Sequence, residues 1–292
     1  MEYQDESLGG EILNAVVAIA VLVAAVAIAF GIHACRRAGT DPTVPDTPAD
    51  TPPVPEIVYT TVHLNEVTAG NLALCDADHP WSEAAVDRVE MQTVSLSLFT
   101  MGGGPLPYLL SDPNVRLQSE AAMAFSALAK AFSAACPSVR LTVTAGYLPY
   151  AGTAGDPHHT GSVVALSFLA EGTAVSLSAG EDDPLTRTAA LWLSAHLSAY
   201  GFVRGTGETV RYVGAPHATY MESHQLSLGE YLSRLRGYTE DAPLKMTDGD
   251  AEYLLYYVTA SHGSATVRVP DNAYFSVSGD GTGGFVVTLR LL

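Results

Sequence analysis

Hydrophobic positions change their spacing along this chain of 292 residues, and each spacing predicts a different kind of structure. From Ile12 to Ile32 run 21 residues without a charged side chain, with Asn14 the one strongly polar position. At ~1.5 Å per residue the run covers roughly 30 Å, the thickness of a bilayer's hydrocarbon core. A buried helix of a soluble fold carries a polar stripe at period 3.6, and this segment carries none. Residues 12–34 therefore predict one transmembrane helix behind a short N-terminal segment, 1–11. Residues 38–56 then hold six prolines among Thr, Asp and Ala, which forbids helix and predicts an extended stalk over 35–56.

Beyond residue 57 the spacing becomes that of a folded domain. Gln118 to Ala135 reads as an amphipathic helix, with Ala122, Phe125, Leu128, Ala129 and Phe132 at helical spacing. Leu141 to Ala145 reads as a strand after the Cys136-Pro137-Ser138 break, and Leu185 to Tyr200 as a second helix stopped by Gly201. Short strands follow at Phe202 to Arg204 and Thr209 to Val213, then a helical stretch from Leu228 to Leu235. The tail differs in kind: Tyr253 to Val258, Ala265 to Val269, Tyr274 to Val277 and Phe285 to Leu289 read as four strands divided by Gly, Asp and Pro turns. The expected fold class is α+β, with a domain at 57–240, built on a mixed or antiparallel sheet with flanking helices, and a β-rich extension at 241–292.

Charge narrows the partners. The chain has 31 acidic and 14 basic side chains, a formal charge of −17, which argues against nucleic acid because counterion release needs a basic face. Residues 57–292 alone carry 23 acids and 12 bases, a formal charge of −11, so the domain should not cling to anionic lipid. Acidic residues precede the apolar run, which disfavours a signal peptide. Arg36 and Arg37 follow it, and the positive-inside rule would place that flank in the cytoplasm, although the rule weakens for long translocated domains. Three cysteines, Cys35, Cys75 and Cys136, are too few for a disulfide framework or a Cys-rich zinc site. Cys75 and Cys136 fit either one bridge or two buried thiols.

Of the nine histidines, only His158 and His159, in Asp156-Pro157-His158-His159-Thr160-Gly161, sit in what looks like a ligand loop by itself. Taken alone it reads as a polar surface loop, since adjacent side chains point apart on an extended chain. Trp81, Trp192, Tyr200 and Phe202 read as core rather than as a ligand platform.

Several blocks in order change the weight of that loop. Thr144-Ala145-Gly146-Tyr147, His158-His159-Thr160-Gly161, Ala199-Tyr200-Gly201-Phe202, Arg211-Tyr212-Val213-Gly214-Ala215-Pro216-His217-Ala218 and Leu228-Gly229-Glu230-Tyr231-Leu232 together resemble the VanY-type D-alanyl-D-alanine carboxypeptidases. Ser278-Gly279-Asp280 and Gly284-Phe285-Val286-Val287-Thr288 resemble the β-rich extension of membrane-anchored members. The resemblance covers roughly residues 69–292. It implies a zinc peptidase that removes the terminal D-alanine of peptidoglycan stem peptides. Its zinc would be held by a His, an Asp seven residues on and a second His closing a Glu-x-x-His block; the Glu is the general base, and an Arg steadies charge on the substrate.

Carried over residue by residue, the first His matches His158. The Asp position falls on Ala165, the Glu on Thr206, the second His on Thr209 and the Arg on Leu148. The segment between Tyr150 and Asp156 is also short relative to the family. One ligand of three does not make a catalytic zinc site, so the sequence predicts no cofactor and no catalytic residues. The expectation is a membrane-anchored, extracytoplasmic, catalytically silent carboxypeptidase-like protein. It would hold stem peptide in a cleft near Tyr147, Asp156, His159, Thr160 and Arg211, or dock on an active cell-wall enzyme. Two alternatives stay open: a rebuilt hydrolytic site using Asp156, His158, His159 and Glu208 or His224, and a structural envelope module without ligand.

Overall fold

The computed structural model describes residues 59–99, 104–149, 155–271 and 273–291. The expected membrane helix, 12–34, and stalk, 35–56, lie outside the described residues, as does most of the short segment after Tyr150. Among the described residues no helix is long and apolar enough to cross a membrane.

Two sheets organise the fold, and the α+β class is as the pattern predicts. The first has the order β3-β5-β6-β9-β8: Leu109–Leu110, Val139–Ala145, Val163–Ala170, Thr209–Tyr212 and Phe202–Arg204, with β7 (Thr173–Ser176) on β6. The β3–β5 pair is parallel and the others antiparallel. Alternation fixes its faces. Leu141 and Val143 on β5, Val164, Leu166 and Phe168 on β6, and Val210 on β9 enter one core cluster. Helices α2 (Ser119–Ala135) and α3 (Arg187–His196) enter the same cluster, α2 through Ala122, Phe125, Leu128, Ala129 and Phe132. The intervening residues Val163, Ala165, Thr209 and Arg211 therefore point to the opposite face.

The second sheet, β10-β11-β14-β13, is antiparallel and comprises Leu244–Asp248, Ala251–Thr259, Gly284–Arg290 and Tyr274–Gly279. Strand β14 is buried on both faces. Phe285, Val287 and Leu289 pack with Leu64, Val267 and Val269 of β1 (Tyr59–Asn65) and β12 (Ser264–Pro270). Val286 packs on the other side with Tyr220, Tyr231 and Leu232 of α4 (Ala215–His224) and α5 (Leu228–Leu235). Strands β1 and β12 pair antiparallel over seven positions, Tyr59 opposite Pro270 and Asn65 opposite Ser264. A further helix, α1 (Glu83–Gln92), and the β2–β4 pair (Thr93–Ser95 with Arg116–Gln118) complete the α-helices and strands among the described residues.

The expected helix from Leu185 to Tyr200 is shorter than its pattern. Asp183 Oδ1 accepts the N–H groups of Leu185 at 2.7 Å and Thr186 at 3.2 Å, which holds the helix start at Arg187. Its end breaks into a 3₁₀ turn, Ser198–Tyr200, closed by left-handed Gly201 at φ 80°. Cys75 and Cys136 are both buried, in different core clusters, and form no bridge with each other.

Candidate functional site

The site is built where the end of β5, the ligand loop and the β8–β9 turn meet. The loop is a 3₁₀ turn, Pro157–Thr160, started by Asp156, whose Oδ1 accepts the His158 N–H at 2.9 Å, and ended by Gly161 at φ 68°. Both imidazoles are tied to the chain that leaves β5. His158 Nδ1 donates to the Gly146 carbonyl at 2.8 Å and His159 Nδ1 to the Leu148 carbonyl at 2.8 Å. A carbonyl can only accept, so each Nε2 is left as the basic nitrogen, the tautomer in which a ligating histidine is normally held.

His158, Thr206 and Thr209 line one cavity of about 570 Å³ together with Asp156 and Ala77. Ala165 lies opposite Thr209 in the β6–β9 register, and Val163 opposite Arg211. The positions matching the family's first His, Glu and second His thus line one cavity, and the Asp position is register partner to the second of these His positions. Their side chains do not supply the donors. Ala165 has no polar atom, and Thr209 Oγ1 donates to the Thr206 carbonyl at 2.8 Å within the β8–β9 turn. Leu148, at the arginine position, is 41% exposed and offers only its backbone. The residues present do not fit a zinc ion held in the family manner: one imidazole stands where three protein ligands are required. Among the described residues, no three His, Cys, Asp or Glu side chains come together to hold a metal ion.

The rebuilt alternative meets the same geometry. Glu208 turns towards β7 and takes the Ser178 N–H at 3.1 Å as well as the Ser178 hydroxyl. Burial pushes its carboxyl up, but these hydrogen bonds outweigh it and hold Glu208 below the usual carboxylate range. His224 stacks on Tyr220 with ring centroids 4.0 Å apart, its Nδ1 2.9 Å from the Tyr220 carbonyl. His159 is buried, as is Thr160, whose hydroxyl donates to the Pro157 carbonyl at 2.8 Å. Tyr147 is buried among Cys75, Trp81, Ala85 and Val89, and that burial, with Glu90 nearby, pushes its hydroxyl pKa up. Of the five cleft residues expected from the sequence, Asp156 and Arg211 line cavities; Tyr147, His159 and Thr160 line neither cavity of this site.

A larger cavity of about 610 Å³ adjoins the first, sharing Thr206, Thr209, Gly155 and Pro157 with it. Leu197, Phe202, Met221 and Leu226 give it apolar walls, and Arg204 and Glu222 bring charge. Arg204 is partly exposed, with Glu181 3.8 Å away. Arg211 is committed elsewhere: its guanidinium donates to the carbonyls of Asn71 at 3.1 Å and Ala73 at 2.6 Å. Burial lowers its pKa to about 10 and raises that of the neighbouring Cys75 thiol to about 11, against the pull of Arg211. Arg211 thus fastens a strap, residues 66–77, whose Leu74, Cys75, Asp76 and Ala77 wall the cavity. That wall has no signal in the sequence, because the strap has neither helical nor strand periodicity. Arg204 could have been found as the charged end of an otherwise apolar strand.

No protein-family model matches the sequence. A D-alanyl-D-alanine carboxypeptidase of Enterococcus faecium is 23% identical over 246 residues, covering 78% of this chain and 78% of that protein. The crystal structure of the vancomycin-resistance D,D-dipeptidase VanXYg, in complex with a D-Ala-D-Ala phosphinate analogue, superposes with a TM-score of 0.63 at 20% identity. It covers 80% of this chain and 99% of that one.

Proposed function

The chain is related to the VanY-type D-alanyl-D-alanine carboxypeptidases, and from that premise we propose that it is a membrane-anchored protein of the peptidoglycan that has kept the fold and given up the hydrolysis. One observation carries the reading: the cleft positions of a metal ligand and the general base are occupied by Thr209 and Thr206, the other ligand position by Ala165, beside an intact His158. Threonine at neutral pH is neither a base nor a strong metal donor.

What remains is a cavity of about 610 Å³, within the ~300–1,000 Å³ typical of small-molecule sites. Leu197, Phe202, Met221 and Leu226 give it apolar walls and Arg204 adds a guanidinium to the lining, which can receive the carboxylate of a short peptide. The proposed role is therefore to hold the end of a stem peptide without cleaving it, alone or beside an active cell-wall enzyme. The full-length chain in detergent is titrated with a peptide ending in D-Ala-D-Ala while free D-alanine is followed. Saturable binding without release is the expected result. Release abolished by a chelator overturns the reading, and absence of binding favours a purely structural role.

A further inference from the structure

A second cleft, of about 730 Å³, lies where the start of α2, the turn from β9 into α4 and the edge strand β13 meet. Its chemistry differs from that of the first. No Lys or Arg lines it, and Glu120 is its one carboxylate. Its one imidazole, His217, is buried with Nδ1 2.7 Å from the Tyr231 hydroxyl and Nε2 3.0 Å from Thr288 Oγ1. Two helices, α2 and α4, begin at the cleft, and neither start is capped by a side chain.

These features select a ligand by exclusion. An anion would meet the Glu120 carboxylate, and a cation would meet the partial positive charge of two helix starts. An uncharged molecule rich in hydroxyls meets neither obstacle, because each hydroxyl both donates and accepts. The cleft offers both partners. Asn71 Nδ2 donates to Glu120 Oε2 at 3.4 Å, while Asn71 Oδ1, shielded from solvent, accepts from nothing. Gln92 and Gln118 add amides to the lining. Tyr212, Tyr253 and Phe275 also line it, and Phe275 is 44% exposed. Aromatic faces present apolar surface with a negative quadrupole, suited to the C–H faces of sugar rings.

We propose that this cleft is a binding site for an uncharged oligosaccharide, held by the Asn71 and glutamine amides and stacked on Phe275. The assignment does not rest on the peptide cleft, and either can fail without the other. It is tested by calorimetric titration of the full-length chain, in a detergent without sugar headgroups, with two β-1,4-linked tetrasaccharides. One is built of glucose and the other of N-acetylglucosamine; cadaverine and acetate serve as charged probes. Saturable binding of either tetrasaccharide is expected, and the one preferred tells a plain glucan from an amino-sugar chain. Phe275→Ala and Asn71→Ala should each weaken it at least tenfold with the melting temperature unchanged. Arg204→Ala, in the other cleft, should change it less than threefold. The proposal is overturned if neither tetrasaccharide saturates, if only a charged probe binds, or if Phe275→Ala and Asn71→Ala bind as the parent chain does.

Discussion

Ala165 and Thr209 are register partners on adjacent strands, so the deficit of the site is one of side-chain atoms on a retained backbone. Ala165→Asp together with Thr209→His should let the chain take up zinc with His158, read by metal content after gel filtration. Hydrolysis should still need Thr206→Glu, because metal, base and charge clamp act as a unit and single repairs are nearly silent. Zinc uptake by the unaltered chain at one per molecule would contradict this. A second prediction concerns His217, which burial holds neutral down to a pKa of about 4, against an ordinary value of 6.5. Its unfolded form takes up a proton at a higher pH than its folded form. Its contribution is therefore complete above about pH 6.5 and is lost as the pH falls towards about 4, on the order of 3 kcal/mol in all. Urea midpoints measured across that window should fall in the parent and flatten in His217→Gln. The sequence pointed to His158 and to the empty family positions, since those are matters of residue identity. That Glu208 turns to Ser178, or that Arg211 fastens the strap at Asn71 and Ala73, depends on which strands pair and how the chain returns. No local pattern encodes either.

Elements with a clean period were legible. Helix α2 carries Phe125, Leu128, Ala129 and Phe132 on one face, and β11 to β14 fall on the four strands expected of the tail. Helix α4 shows no helical period in the sequence. Pro216, His217, Ala218, Tyr220 and Met221 are all buried, leaving no polar stripe, because the helix is covered from several sides. Strand β10 is too short to declare itself, being five residues long with none of them fully buried. The β13–β14 turn ties the tail to the rest. The buried Asp280 carboxylate accepts from the N–H groups of Thr282, Gly283 and Gly284, the Tyr257 hydroxyl and the Arg236 guanidinium, the last at 3.0 Å. Burial pushes its pKa up, but the hydrogen bonds hold it well below the usual carboxylate range. Its stabilisation is therefore present above the ordinary pKa of about 4 and is lost only in stronger acid. Asp280→Ala should cost on the order of 3 kcal/mol, since the turn amides lose their buried acceptor. Arg236→Met should cost less, because the arginine is partly exposed. Chemical denaturation of both variants at neutral pH checks the order.

For the whole molecule, the proposed role at the peptidoglycan requires that the domain behind the anchor and stalk expected at 12–34 and 35–56 face away from the cytoplasm. Protease added to intact protoplasts should then digest residues 57–292, and full protection of that region would reverse the assignment. A chelator should leave the melting temperature unchanged, because linkage requires a ligand that binds the folded state; a fall of several degrees would reveal a bound metal. The pairing of β1 with β12 adds a constraint of timing. About 200 residues separate the two strands, and a ribosome adding roughly 5–20 residues per second needs on the order of 10–40 s to cover that distance. Throughout that interval Val62 and Leu64 have no β12 to pair with, and Phe285 and Leu289, which cover them in the folded state, are not yet made. Among the described strands the first to emerge is thus among the last to be paired, and Val62 and Leu64 gain their cover only when the tail is complete.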